Sequence, residues 1–109
     1  MNQISVSDLA ALANAAKANA APVNTVLVDV REPDEFAGGH VTAAINIPLG
    51  QIDERLEEIP TDQTVYLICH SGARSARATA ALSARGIDAV NVDGGTTAWI
   101  EAGLPTETV

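Results

Sequence analysis

Residues 65–75 read Val65-Tyr66-Leu67-Ile68-Cys69-His70-Ser71-Gly72-Ala73-Arg74-Ser75. The first four are apolar or aromatic with no polar alternation, which is the pattern of a strand buried on both faces in a parallel sheet. A cysteine ends the run. A short loop holding Gly72 follows, and Ser75 to Arg85 is Ala-rich and helical, with Gly86 placed as its C-terminal stop. Strand, tight loop and helix therefore follow one another within about twenty residues, as in an α/β unit.

The same alternation extends in both directions. TVLVDV (25–30) is a second Val-rich buried strand, and AVNV (89–92), AINIP (44–48) and QISV (3–6) are shorter ones. Ser7 and Asp8 read as the N-cap and first turn of a helix carrying Leu9, Leu12, Ala13 and Ala16 on one stripe. Ile52, Leu56 and Ile59 predict a helix over Gln51–Ile59, ended by Pro60 and Asp62. Thr96–Ala102 predicts a last helix, closed by Gly103 and Pro105. Asn19–Asn24, with Pro22, reads as a loop, and 31–39 (REPDEFAGG) as a turn-rich stretch with room for one helical turn after Pro33. Asp93, Gly94 and Gly95 form a turn. The expected architecture is one domain over 1–109, of α/β class, with a mainly parallel sheet and helices on both faces. No repeat or linker interrupts it, and disorder is expected only after Pro105. Ligands of such sheets sit beyond the carboxyl ends of the strands, where the loop after Ile68 falls.

Composition narrows the function. Six Lys and Arg face 14 Asp and Glu, a formal net charge of −8. That charge repels nucleic acid and anionic membrane, and 3 % aromatic residues leave little to stack on bases. An anionic small substrate is repelled too, so an anion site must be made locally by backbone amides and one or two arginines. The single Cys excludes an internal disulfide and a disulfide-stapled secreted fold. MNQISVSDLA has no basic or apolar leader region and no run is long enough to span a bilayer, so a reducing cytoplasm is the expected setting. One Cys and two His set far apart supply no metal site, and no cofactor is called for.

The chemistry concentrates in the loop. A thiolate is the reactive form of cysteine, and a helix N-terminus or a cation lowers its pKa from ~8.5 to roughly 3.5–7.5. Successive N–H groups of residues 70–75 can curl into an anion-binding nest around the Cys69 sulfur, with the following helix adding its positive end. Gly72 permits the backbone angles of a tight cradle. Arg74 offers a cationic fork for a sulfur or phosphorus oxyanion. Ser75 can cap the helix and donate its hydroxyl to the loop.

CHSGARS (69–75) resembles the active-site loop of rhodanese-like domains, Cys-x-x-Gly-x-Arg-Ser. LVDVREPDEFAGGHVTAAINIP (27–48) and VDGGTTAWIEAGLP (92–105) are similar to two further signatures of that family. The resemblance implies a five-stranded parallel sheet flanked by helices. It also implies a sulfurtransferase whose Cys69 takes a sulfane sulfur from a small anionic donor such as thiosulfate, and passes it on from a persulfide to cyanide or a thiol, including a thioredoxin-like or sulfur-relay protein. His70, Ser71, Gly72, Ala73, Arg74 and Ser75 then form the substrate cradle around the catalytic Cys69. A second reading is a persulfide carrier or regulatory module fed by a partner protein. Related phosphatases place five residues between Cys and Arg, whereas only four separate Cys69 from Arg74. That ring, with no resolving cysteine, disfavours a phosphatase or an arsenate reductase. His70 stands where many thiosulfate-using members carry Arg or Lys, which leaves the physiological donor open.

Elsewhere bland roles are expected. Asp29 and Arg31 read as an ion pair fixing a turn, His40 as a structural histidine and Trp99 as core. Arg77 reads as a solvated helix charge, and Asp53-Glu54-Arg55-Leu56-Glu57-Glu58 as a solvent-facing helix side.

Overall fold

A computed structural model describes residues 2–19 and 26–109. Five strands form a sheet: β1 (Gln3–Ile4), β2 (Val26–Asp29), β4 (Ile45–Asn46), β5 (Val65–Ile68) and β6 (Ala89–Val92). Their spatial order is β1-β6-β5-β2-β4 and every neighbouring pair is parallel. The expected α/β class and parallel sheet are therefore present. A two-stranded antiparallel ribbon joins β3 (His40–Val41) to β7 (Thr106–Glu107).

The helices are α1 (Val6–Asn19), α2 (Pro33–Ala37), α3 (Ala73–Ser83) and α4 (Gly95–Glu101). Alternation along the strands splits the core into two layers. Val28, Val65 and Leu67 pack with Ala78 and Leu82 of α3 on one face. Leu27, Ile68 and Val92 pack with Val6 and Leu9 of α1 and Trp99 of α4 on the other. Cys69 continues the Val65–Leu67 alternation, so its side chain lies on the α3 side. From β2 the chain runs outward to β4, then returns to β5 on the other flank of β2 and continues to β6. The carboxyl ends of β2 and β5 thus flank the switch point in strand order.

Several expectations shift. The α1 cap is Ser5, whose Oγ accepts the Asp8 N–H at 3.1 Å; Ser7 lies inside the helix. The expected loop at Asn19–Asn24 lies, from residue 20 onward, outside the described residues, as do the side chains of Ala13 and Ala16. Gln51–Ile59 is not an α-helix: Leu49–Gln51 and Asp53–Glu58 are 3₁₀ turns, with Arg55 at φ −118°. A 3₁₀ turn aligns residues three apart. Leu49 and Ile52 therefore share the core face, and the break near Arg55 absorbs the four-residue step to Leu56 before Ile59 follows. The segment after Pro105 is not disordered: Thr106–Glu107 pairs with β3, and Val109 N–H donates to Ala37 O at 3.1 Å. Trp99 is buried as expected and its Nε1 donates to Pro105 O at 2.8 Å, tying down the same segment. Among the described residues no helix is long and apolar enough to cross a membrane.

Candidate active site

Cys69 is buried at the carboxyl end of β5, beneath the N-terminus of α3. Its Sγ accepts the Gly72 N–H at 3.1 Å and stands 3.3 Å from Ser75 Oγ. The loop can curl this tightly because Gly72 adopts φ +111°, in the left-handed region that a side chain disfavours. Burial raises the thiol pKa, since it penalises the charged form. The Ser75 hydroxyl and the N–H groups of Ser75, Gly72 and Ser71 more than offset this, and the net pull is below the ordinary thiol value.

A second turn holds the loop in shape from the far side. The N–H groups of Thr96 and Thr97, at the start of α4, donate to the carbonyls of Cys69 and His70 at 2.8 and 3.0 Å, and Thr96 Oγ1 adds a bond to Cys69 O at 3.0 Å. A helix start has unpaired N–H groups to offer, and here the cysteine loop takes them. With the two carbonyls held by α4, the next amides are free to face the sulfur. Gly95 sits where a Cβ would lie 2.6 Å from Cys69 O and 2.7 Å from His70 O, so no other residue fits.

The arginine lies elsewhere than expected. Arg74 donates Nη1 and Nη2 to Oε1 and Oε2 of Glu35 on α2, at 2.7 and 2.9 Å. This fork spans the switch point, joining the element after β2 to the element after β5. The contact with Arg74 lowers the Glu35 pKa to about 2. Arg74 still lies near enough for the Cys69 charge to favour its protonated form.

A Cys-x-x-Gly-x-Arg-Ser loop between strand and helix, cradling a sulfur with backbone amides, agrees with what comparison with known proteins finds. The family model of the rhodanese-like domain matches residues 7–102. The chain belongs to the rhodanese-like domain family. It is 49 % identical over 74 residues to the uncharacterized protein YqhL of Bacillus subtilis and spans 59 % of that protein's length. It is 43 % identical over 83 residues to a sulfurtransferase of Allochromatium vinosum, covering 75 % of this chain and 78 % of that one. In structure it is similar to a rhodanese-related protein from Thermoplasma volcanium, with TM-score 0.87, 33 % identity and full coverage of both chains.

Within this rhodanese-like domain the residues expected to act together surround the sulfur unequally. Ser71 and Gly72 present amides, while His70 and Ala73 are exposed, and His70 has Thr97 Oγ1 at 3.4 Å from its ring nitrogens. Ser75 is not the cap of α3. The helix begins at Ala73 with Gly72 in the cap position, so Ser75 falls in the first turn with its hydroxyl turned inward. Asp29 and Arg31 form the expected buried ion pair, with Arg31 Nη2 also reaching Gly39 O at 2.8 Å. His40 is buried, stacks on Phe36 at 3.7 Å and bonds Phe36 O through Nδ1 at 2.8 Å. Glu35 and Asn91 were not singled out in the sequence. Asn91 had a signal, a polar residue inside an otherwise apolar strand; Glu35 falls inside the 27–48 signature, but nothing in the sequence points to its partner, 39 residues away.

Proposed function

We propose that this rhodanese-like domain is a sulfurtransferase in which Cys69 carries the transferred sulfur as a persulfide. The observation that carries the reading is the Cys69 sulfur held by the Gly72 amide and the Ser75 hydroxyl, with its pKa pulled down against burial. In the loading step the Cys69 thiolate attacks the outer sulfur of thiosulfate. The S–S bond of the donor breaks, its electron pair leaves with sulfite, and Cys69–S–S⁻ remains. In the unloading step cyanide or a thiolate attacks the outer sulfur, and the S–S electron pair returns to Sγ as thiolate. Charge balances in each half, and neither needs an oxidant, a metal or a cofactor. The N–H cradle of residues 71–75 stabilises the anion in both states. A lone reactive thiol of this kind suits a reducing cytoplasm.

The pairing of Arg74 with Glu35 favours a second reading of the donor. It leaves the fork engaged and the backbone as the main anion receptor, in a chain of net charge −8. A persulfide presented by a thioredoxin-like or sulfur-relay protein carries less charge than thiosulfate and suits that receptor better. The assay is transfer from thiosulfate to cyanide, followed as thiocyanate, with Cys69→Ser beside the parent. Transfer should fall to background in the variant while its circular dichroism is unchanged. Retained transfer would overturn the proposal. Slow transfer from thiosulfate with fast transfer from a protein persulfide would assign the donor to a partner.

A further inference from the structure

The Ser75 hydroxyl has one proton and three acceptors around it. Asn91 Oδ1, on β6, lies at 2.6 Å, while Cys69 Sγ and Gly72 O each lie at 3.3 Å. All four residues are buried. Gly72 O already accepts the Ala76 N–H at 3.1 Å, and the Asn91 Nδ2 contact with it is long, at 3.4 Å. The contest for the proton is therefore between the amide oxygen and the sulfur. A neutral sulfur is a weak acceptor, and Asn91 wins it. A thiolate makes a charge-assisted bond and draws the proton to itself.

We infer that Asn91 is a positioning residue for sulfur transfer, its carboxamide deciding whether the Ser75 hydroxyl serves Asn91 or Cys69 Sγ. The inference rests on Cys69 being the reactive sulfur. A carboxamide suits the task because it carries a donor and an acceptor on one pivot. With Oδ1 towards Ser75 it takes the hydroxyl proton when Sγ is a thiol or the inner, neutral sulfur of a persulfide. Turned over, it gives up the long Nδ2 contact and sets Oδ1 against Gly72 O, a cost that the charge-assisted bond to a thiolate offsets; it then donates to Ser75 Oγ and leaves the proton for the thiolate. The two half-reactions need these opposite arrangements. A bond from Ser75 stabilises Sγ as the leaving group in unloading but blunts it as the nucleophile in loading. Asn91 keeps that bond reversible.

An apolar residue and a carboxylate at 91 should then act in opposite directions. Asn91→Leu removes the competitor, leaves the Ser75 proton on the sulfur and lowers the Cys69 pKa. It slows loading and spares unloading. Asn91→Asp holds the proton on a permanent acceptor, places a negative charge beside the sulfur and so raises the Cys69 pKa; unloading slows. The other ionisable groups on the elements around the sulfur are Arg74 and Arg77 on α3, Asp34 and Glu35 on α2, His70 in the loop, Tyr66 on β5, Asp29 at the end of β2 with Arg31 after it, Asp93 after β6 and Glu101 on α4. None changes in these variants.

The test is the pH dependence of Cys69 alkylation, a readout that needs no sulfur donor and so stands apart from the proposed activity. The parent, Asn91→Leu and Asn91→Asp are compared, each with and without Ser75→Ala. The expected result is a downward shift in Asn91→Leu, an upward shift in Asn91→Asp, and no shift from Asn91→Leu once Ser75 is Ala. Shifts in the same direction, or an Asn91→Leu shift that survives Ser75→Ala, would overturn the inference. If Asn91→Leu fails to fold, Asn91→Val supplies the apolar arm with the same required outcomes.

Discussion

At the scale of single residues, the cationic fork is the point on which sequence and structure part. Arg74 reads as an anion receptor, but a guanidinium finds its best partner in a carboxylate, and α2 supplies one. Glu35→Gln should free the fork. The prediction is a lower Cys69 pKa and tighter use of thiosulfate, seen as a fall in KM, with a small loss of stability. Arg74→Ala should do the reverse and raise the Cys69 pKa, because it leaves Glu35 as an unpaired negative charge near the loop. Alkylation rates against pH check both. An unchanged profile in Arg74→Ala would mean that the amides of residues 71–75 and the Ser75 hydroxyl hold the thiolate unaided. Gly95 gives a sharper steric case. Gly95→Ala adds a Cβ at 2.6–2.7 Å from two carbonyls and at φ +60°, so a loss of roughly 1–3 kcal/mol is expected, together with slower Cys69 alkylation. Denaturant midpoints measure the first and alkylation the second.

At the scale of elements, the strands and helices that bury apolar stripes were legible because their periodicity is enforced by the core. VYLI, VLVD and AVNV carry the sheet, and the Ala-rich stretch after Gly72 carries α3. What escaped reading are elements held by partners distant in sequence. His40–Val41 and Thr106–Glu107 are two residues each and exist as strands only because they pair with each other. Ser5 escaped because Ser5 and Ser7 both suit a cap and only the geometry chooses. Cys69, Gly72 and Ser75 could be placed at the site from their spacing, whereas Glu35 and Asn91 reach it from other elements. The ribbon makes a prediction. Removing residues 106–109 strips β7 from β3 and exposes the buried His40, so the melting temperature should fall by a few degrees. Alkylation of Cys69 should be unchanged, since among the described residues no hydrogen bond links this ribbon directly to the loop.

At the scale of the whole molecule, charge acts in two ways. Glu35 is charged in the folded state down to about pH 2, below the ordinary carboxylate range. Its stabilisation is therefore complete at neutral pH and is lost as pH falls from about 4.5 towards 2. The pair is about one-third exposed, and screening holds its worth to about 1 kcal/mol. Stability measured against pH should fall less steeply over that window in Glu35→Gln than in the parent. The second effect is repulsion of an anionic donor. The molecule extends 33 × 30 × 24 Å, and the Debye length is about 30 Å at 0.01 M salt but about 8 Å at 0.15 M. At low salt thiosulfate meets the full charge of −8; at higher salt it meets only the loop. kcat/KM for thiosulfate should therefore rise with salt. A fall would show that the local field of the loop amides and Arg77 outweighs the rest of the surface.

The most direct measurement is the intact mass of the protein before and after exposure to thiosulfate, and to a low-molecular-weight persulfide, with Cys69→Ser alongside. A gain of one sulfur atom is expected in the parent, reversed by cyanide or a thiol and absent from the variant. A gain of the same size in Cys69→Ser, or no gain in the parent from either donor, would contradict a persulfide carried on Cys69.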